Sequence, residues 1–147
     1  GVELLGLFRR SPLAITASYT YVHSRETEEG VVRDVELTPR HSVGLVGMWE
    51  NEDGRVGVEW YFTGRQRLED NPYRDASESY NIIGVLIERR VGRLRLFVNG
   101  ENLTDTRQTR WEDPFLRPGR AADGRWTVDA WAPLDGRVIN GGVRVGF

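Results

Sequence analysis

Apolar side chains recur at every second position in several stretches of the chain. In residues 56–63, valine and aromatic residues occupy the even positions, whereas Gly, Glu, Tyr and Thr occupy the odd ones. A period of two places alternate side chains on opposite faces of a β-strand. Five further stretches alternate in the same way, with apolar positions at Leu13, Ile15, Ala17, Tyr19 and Tyr21; Val43, Leu45, Gly47 and Trp49; Ile83, Val85 and Ile87; Leu94, Leu96 and Val98; and Ile139, Gly141, Val143, Val145 and Phe147.

A seventh strand is predicted over Val2 to Arg9. Leu4, Gly6 and Phe8 form its apolar stripe, although leucines on the other face blur its register. Most of the seven segments are expected to run eleven residues or more, which exceeds the five or six of an ordinary soluble strand. A tilted strand that spans a membrane needs roughly 9 to 11 residues. The strand lengths therefore favour a membrane protein.

The connections between these segments alternate between short and long. Short turns are expected at residues 10–12, 51–54 and 91–92, and long loops at residues 26–37, 68–78 and 105–136. Outer-membrane barrels have short periplasmic turns and long extracellular loops. The pattern predicts an all-β fold, namely an antiparallel up-and-down meander of about seven long strands. Because single-chain bacterial barrels have an even number of strands and at least eight, this meander is expected to be a partial, open segment of a transmembrane β-barrel.

Aromatic residues cluster near the expected strand ends, as they do where a barrel meets the two membrane interfaces. An alternative is that aromatic residues are simply common in strands. The predicted girdles consist of Phe8, Trp49 and Phe147 toward the short turns, and Tyr19, Tyr21, Trp60, Phe62 and Tyr80 toward the long loops.

Composition excludes several classes of protein. The net charge is -2 and every basic residue is arginine, without a recurrent basic face, so a nucleic-acid partner is not expected. The absence of cysteine excludes disulfides, thiolate metal sites and a cysteine nucleophile. No run of 18 apolar residues predicts a transmembrane helix. The chain begins at Gly1 without a signal peptide, so it is expected to be a mature or truncated piece of a longer protein.

The last eight residues, Asn140 to Phe147, combine a polar residue, a glycine, an apolar residue and a terminal aromatic residue at set positions. This arrangement resembles the β-signal that the barrel-assembly machinery reads. The alternative is an ordinary final strand. The residues that carry the resemblance are Asn140, Gly142, Val145 and Phe147.

Two further stretches resemble TonB-dependent outer-membrane receptors. The segment Leu96 to Asp105 ends in Asn-Leu-Thr-Asp, like the penultimate strand of that family, and Leu37 to Ser42 resembles its way of starting a strand after an extracellular loop. The resemblance implies a 22-stranded barrel closed by a plug, located in the outer membrane of a Gram-negative bacterium. It implies uptake of a scarce nutrient, most often a ferric siderophore or related metal complex. This chain would then be the C-terminal segment, residues 1–147, without the plug.

The resemblance also implies partners and site residues. The expected partners are outer-membrane lipid, the barrel-assembly machinery, the TonB complex through the missing plug, and a small-molecule nutrient complex; no cofactor is implied. Residues expected to face the lumen are Glu59, Tyr61, Arg65, Arg89, Arg95 and Arg144. Residues that can contact a ligand from the last loop are Arg107, Arg110, Trp111 and Trp126, with Arg117, Arg120 and Trp131, although pairing with the six acids of that loop is the favoured alternative.

Catalytic and metal chemistry find little support in the sequence. No Ser/His/Asp grouping, paired-carboxylate cleft or phosphate-binding loop stands out, so no catalytic residue is predicted. His23 lies near Glu26, Glu28 and Glu29, but without a recognisable ligand spacing, and a solvated acidic loop is favoured. Two alternatives to a receptor are a small outer-membrane hydrolase and a soluble calycin-like barrel that binds an apolar ligand.

Overall fold

Seven strands form one antiparallel sheet in the computed structural model, which describes residues 1–69, 71, 73–112, 122, 124 and 130–146. The predicted all-β meander is confirmed, because the order of the seven strands across the sheet is the same as their order along the chain. A separate two-stranded hairpin, β3–β4, lies in the connection between β2 and β5. In chain order the strands are β1 (Val2–Arg10), β2 (Leu13–Tyr21), β3 (Arg25–Glu28), β4 (Val31–Asp34), β5 (His41–Asn51), β6 (Gly54–Thr63), β7 (Tyr80–Val91), β8 (Leu94–Glu101) and β9 (Val138–Val145).

The expected strand length was wrong for most of the sheet. β5 has 11 residues and β7 has 12, but β1 and β2 have 9 each and β8 and β9 have 8 each. β8 ends early because Asn102 takes a positive φ of 47° and turns the chain away from the sheet. The long loops therefore contain more residues than the sequence predicted.

The alternation of short and long connections is confirmed. The short turns are residues 11–12, 52–53 and 92–93, and the long loops are residues 22–40, 64–79 and 102–137. Asn51 sets one turn, since its Oδ1 accepts the N–H groups of Asp53 and Gly54. Gly92 sets another with φ of 60°, a conformation that glycine adopts without a steric penalty. One end of the sheet therefore carries the turns (the short-turn end) and the other carries the loops (the long-loop end).

The β3–β4 hairpin was not predicted from the sequence, where residues 26–37 were expected to form a long loop. Glu29 and Gly30 both have positive φ, at 50° and 82°. Two consecutive positive φ angles are typical of the tight type I′ turn, whose twist suits a hairpin. The Glu-Gly pair beside Val31 and Val32 was the available signal.

The strand register places the six predicted apolar stripes on one face of the sheet. Val58, for example, pairs with Gly47 on one side and Val85 on the other, whereas Glu59 pairs with Val46 and Gly84. The stripe of β1, with Leu4 opposite Tyr19, lies on the same face. We call the face that contains Val58 the apolar face and the face that contains Glu59 the polar face.

The buried hydrophobic cluster lies among the long loops and not under the sheet. Within the described residues it consists of Leu68, Trp131 and Ala132, against which Tyr80 and Trp111 pack. No described element packs across either face of the sheet, since contacts between elements follow the strand pairings alone. The loops thus form their own small core at one end of the sheet.

The sheet is open. β1 and β9 are its two edges and do not pair with each other. Each edge strand therefore presents one row of backbone N–H and C=O groups that the described chain does not pair in a ladder.

Candidate functional site

The apolar face is exposed over its whole width. Leu4, Val58, Ile87 and Val143, on four different strands, are 59%, 47%, 51% and 57% exposed. A face this wide and this apolar is unusual for a protein surface in contact with water. It is suited to contact with another apolar phase.

Aromatic residues border the apolar face at both ends. Phe8 and Trp49 lie near the short turns, while Tyr19, Tyr21, Trp60 and Phe62 lie near the long loops on the same face. His41 completes the long-loop border, since its Nδ1 lies 2.9 Å from the hydroxyl oxygen of Tyr19. The assignment of Tyr80 to this border was wrong. Tyr80 pairs with Thr63 on the polar face and packs against Trp131, with ring centroids 6.3 Å apart.

The polar face brings together four of the six residues that were expected to face a lumen. Glu59, Tyr61, Arg95 and Arg144 share this face, and the cross-strand partner of Arg95 is Arg144. The grouping was wrong for Arg89, which lies two residues after Ile87 and pairs with Gly54 and Leu96 on the apolar face. Alternation along β7 requires this placement.

Glu88 is the centre of the charge cluster on the polar face, although no role was predicted for it from the sequence. Its side chain is 2% exposed and its carboxylate accepts hydrogen bonds from Arg95 at 2.9 Å and from Arg55 at 3.2 Å. Arg144 adds an ion pair at 3.7 Å. A single carboxylate thus faces three guanidinium groups from β6, β8 and β9. The Glu-Arg-Arg sequence at the end of β7 was its only sequence signal.

The glycines of the polar face make room for larger neighbours. The ideal Cβ position of Gly142 lies 2.9 Å from the ring of Phe97, over which the Arg144 guanidinium sits at 5.3 Å from the centroid. Gly84 likewise faces the side chain of Glu59. The absence of a side chain at these glycines therefore leaves space on the polar face for Phe97 and Glu59.

Three of the four β-signal residues lie on or at the end of the edge strand β9. Asn140 pairs with Asn99, Gly142 with Phe97 and Val145 with Leu94. Phe147 lies outside the described residues. The N–H of Gly146 donates to the carbonyl of Arg93 at 2.9 Å, so this end of β9 is at the short-turn end.

The last loop holds a compact polar and aromatic cluster. Glu112 is buried and accepts hydrogen bonds from Trp131 Nε1 at 2.8 Å, Gln108 Nε2 at 2.7 Å and Asn71 Nδ2 at 2.9 Å. The rings of Trp111 and Trp131 have centroids 5.3 Å apart. Because Asn71 belongs to loop 64–79, this network connects the last two loops. Trp126, Arg117 and Arg120 lie outside the described residues.

Asp105 organises the start of the same loop. It pairs with Arg107 at 3.0 Å and with Arg110 at 2.7 Å, and it accepts the backbone N–H of Arg137 at 3.0 Å. The N–H of Arg137 and then the two guanidinium groups hold the pKa of Asp105 below its usual value. The charges of Arg107 and Arg110 are therefore engaged within the loop, and Trp111 is packed inside it.

A cleft of about 440 Å³ opens between loops 22–40 and 64–79 at the long-loop end. Backbone contacts join the two loops, since the N–H of Leu37 donates to the carbonyl of Arg67 at 3.0 Å. We call this the rim cleft. Arg65, the remaining residue of the expected lumen set, lies here beyond the end of β6. The charged residues that line the cleft are Arg33, Asp34, Arg40, Arg65, Arg67 and Asp75.

Two of the four arginines in the rim cleft are neutralised by carboxylates. Arg40 donates to Asp34 at 2.6 Å, and this hydrogen bond holds the pKa of Asp34 below its usual value. Arg67 pairs with Glu26 at 3.3 Å and with Glu69 at 3.2 Å. Within the described part of the chain, Arg33 and Arg65 make no ion pair. The Nε–H group of Arg65 donates a hydrogen bond to the carbonyl of Ser77 at 3.2 Å.

The described residues contain no group of three His, Cys, Asp or Glu side chains placed to hold a metal ion. His23 and its neighbouring acids therefore do not form such a group. Among the described residues, no helix is long and apolar enough to cross a membrane.

Comparison with known proteins gives a likeness of fold. No family model matches the chain, and no curated protein does. The structure is similar to part of the ferric-catecholate import receptor Fiu from K12 E. coli, with a TM-score of 0.58 and 16% sequence identity. The similarity covers 91% of this chain and 19% of that receptor. At this level of identity, the likeness shows only that this chain and part of that receptor have a similar fold.

Proposed function

We propose that the chain supplies seven consecutive strands of a TonB-dependent outer-membrane receptor that imports a scarce nutrient. The observation that carries the proposal is the exposed apolar face, bordered at both ends by aromatic residues. An outer-membrane barrel has this outward face, with an apolar band between two aromatic girdles. A soluble calycin-like barrel would instead turn its apolar side chains inward.

The open edges support a larger barrel. In hydrocarbon every backbone polar group needs a hydrogen-bond partner, and within the described part of the chain neither edge of this sheet has a neighbouring strand. Single-chain bacterial barrels have an even number of strands and at least eight. Strands from the rest of the protein would pair with β1 and β9. The plug and its contact with TonB would also come from outside this chain.

The polar face and the long loops would then meet water and the imported compound. Glu59, Tyr61, Arg95 and Arg144 would line the lumen or contact the plug, together with Glu88. We propose a ferric siderophore or related metal complex as cargo, because the fold is similar to that of a ferric-catecholate import receptor. Import of this kind requires no covalent chemistry, and no observation favours a hydrolase.

The terminal strand would carry the signal for assembly. Asn140, Gly142 and Val145 lie along the free edge β9, where a partner strand can add by backbone pairing. Phe147 would anchor the strand end at the periplasmic interface. Replacement of Phe147 by Glu in the full-length protein should therefore reduce the amount that reaches the outer membrane.

Localisation tests the proposal most simply. The full-length gene product would be expressed in a Gram-negative host and the outer membrane, inner membrane and soluble fractions compared by immunoblot. We expect the protein in the outer membrane, migrating faster before boiling than after boiling in detergent gels, as folded barrels do. Iron-limited growth on ferric siderophores, with and without the gene, would then identify the cargo. A monomer in the soluble fraction would contradict the proposal.

A further inference from the structure

Arg89 places a positive charge at the short-turn end of the apolar face. Its neighbours on that face are Ile87 along β7, Leu96 on β8 and Gly54 on β6. Arg89 is exposed, and among the described residues its guanidinium makes no ion pair or hydrogen bond. A long arginine side chain can keep its stem on apolar surface while its charge reaches the polar headgroups. The guanidinium is therefore available to an anion at the border of the apolar face.

Four other arginines near these turns belong to a different surface. Arg90 pairs with Arg95, and Arg95 pairs with Arg144, all on the polar face. Together with Arg93 they line one pocket at the short-turn end. Because successive side chains of a strand point to opposite faces, the sheet separates Arg89 from Arg90 and its partners. The anion that Arg89 can bind therefore approaches from the apolar face.

A gap in the layer of side chains lies beside Arg89. Gly54 separates Arg89 from Asn51 on β5, and a Cβ at Gly54 would clash with the carbonyl oxygen of the neighbouring strand. Because adjacent strands are about 4.8 Å apart, side chains on β5 and β7 flank a gap of roughly 10 Å. Trp49, two residues before Asn51, is 41% exposed, and its indole N–H makes no hydrogen bond within the described residues. The gap is therefore bordered by a cation and by an N–H donor.

Two acids lie just beyond the gap, in the turn between β5 and β6. Glu52 and Asp53 are exposed, and neither makes an ion pair with the part of the chain that the structure describes. The N–H of Arg90 donates to the carbonyl of Asp53 at 2.6 Å, so the turn is held against β7 beside Arg89. From the middle of the apolar face toward the short-turn end, the groups are therefore an indole N–H, a guanidinium and two carboxylates.

This order of groups matches one kind of phospholipid. Outward from its acyl chains, phosphatidylethanolamine presents ester oxygens, then a phosphate, then an ammonium group. The ester oxygens can accept the indole N–H, and the phosphate can accept parallel N–H groups from the guanidinium. The ammonium can pair with the two carboxylates. Phosphatidylglycerol has the phosphate without the ammonium, so the two acids would repel it.

We propose that Trp49, Arg89, Glu52 and Asp53 bind the headgroup of phosphatidylethanolamine in the leaflet at the short-turn end. The inference rests on the proposed function, because it requires that the apolar face contact lipid. Native mass spectrometry of the purified full-length protein in detergent micelles, titrated with phosphatidylethanolamine or phosphatidylglycerol, measures the binding of each lipid. We expect the first phosphatidylethanolamine to bind at a several-fold lower concentration than the first phosphatidylglycerol. Equal binding of the two lipids would overturn the proposal.

Matched variants assign the binding to Arg89. R89Q should weaken binding of the first phosphatidylethanolamine by about tenfold, as expected for loss of a charge-assisted hydrogen bond. The control R9Q removes the same charge from an exposed residue near the short turns, but on the polar face of β1. It should change the affinity by less than about twofold. If R89Q and R9Q bound phosphatidylethanolamine equally well, the site would not involve Arg89 and the proposal would be wrong.

A variant with effects of opposite sign on the two lipids guards against misfolding. E52Q/D53S removes both carboxylates and keeps the backbone N–H of residue 53, which donates to Asn51. It should weaken phosphatidylethanolamine binding and tighten phosphatidylglycerol binding, which a disrupted turn would not do. Absence of a lipid preference in a protein with a normal outer-membrane location would overturn the headgroup site alone. A monomer in the soluble fraction would instead overturn the proposed receptor function.

Discussion

The two faces of the sheet differ in almost every physical property although they share the same backbone. Between its borders the apolar face carries Leu, Ile and Val with few polar atoms, whereas the polar face carries Glu88 with three arginines and several glycines. In a soluble sheet the apolar face is the buried one. Here no described strand or helix packs across either face. This contrast is the basis of our proposal that lipid, and not a packed core, contacts the apolar face.

The largest expected effect comes from the same substitution on opposite faces. Val58→Arg places a charge in the middle of the apolar face and should lower the free energy of unfolding by about 2–4 kcal/mol in a bilayer. Val46→Arg lies on the polar face opposite Glu59 and should change it by less than about 1 kcal/mol, because the pair is attractive. Urea titration of the full-length protein in vesicles measures both. If both variants lowered the free energy of unfolding equally, the two faces would not differ in their surroundings.

The charge cluster of the polar face is the next target. Glu88→Gln leaves three guanidinium groups without their shared anion, so the urea midpoint should fall, though by less than for Val58→Arg because Gln keeps the shape and one acceptor oxygen. Glu3→Gln is the control, since Glu3 is exposed on the same face and pairs with Thr20, away from the cluster. If the two variants had the same midpoint, the Glu88 cluster would contribute nothing to stability.

Two glycines on opposite faces give a smaller contrast. Gly142→Ala would push a methyl group toward the Phe97 ring, 2.9 Å away, and should cost about 1 kcal/mol. Gly47 on the apolar face has no atom within 4 Å of its Cβ position, so Gly47→Ala should be neutral or slightly stabilising. Urea midpoints again measure the difference. If Gly47→Ala lowered the urea midpoint as much as Gly142→Ala, packing on the polar face would not explain the destabilisation.

The smallest expected effect is a loosening of the loops, and it should appear only at acid pH. Because the pKa values of Asp34 and Asp105 are lowered in the folded protein, their stabilising contributions are present above the ordinary carboxyl pKa. These contributions are lost as the pH falls below about 4 through the folded pKa values. Limited proteolysis should cut loops 22–40 and 102–137 faster in acid, with strands intact. Asp105→Asn should remove this dependence in the last loop; an unchanged acid response there would contradict the assignment.

Much of this comparison can be predicted from local sequence. The alternation in residues 56–63 determines which side chains share a face, because register follows from a period of two. That rule places Arg89, two residues after Ile87, on the apolar face and not in the lumen where it was expected. The same rule corrects Tyr80, which is an odd number of positions from Ile83.

Tertiary features could not be predicted in this way. The Glu88 cluster draws on β6, β7, β8 and β9, so it depends on which strands are neighbours and on their stagger. The rim cleft depends on the unpredicted β3–β4 hairpin and on its contacts with loop 64–79. Such contacts are made between residues far apart in the chain, and no local period encodes them.

The claim that the apolar face contacts lipid is tested most directly along β6. The chain has no cysteine, so single cysteines can be introduced at each position from Val56 to Phe62 and labelled with a nitroxide. In vesicles that contain the full-length protein, collision of the label with oxygen reports lipid and collision with a water-soluble nickel chelate reports water. We predict high oxygen access at the even positions and high nickel access at the odd positions. Nickel access at Val56, Val58 and Trp60 equal to that at Gly57, Glu59 and Tyr61 would contradict the account.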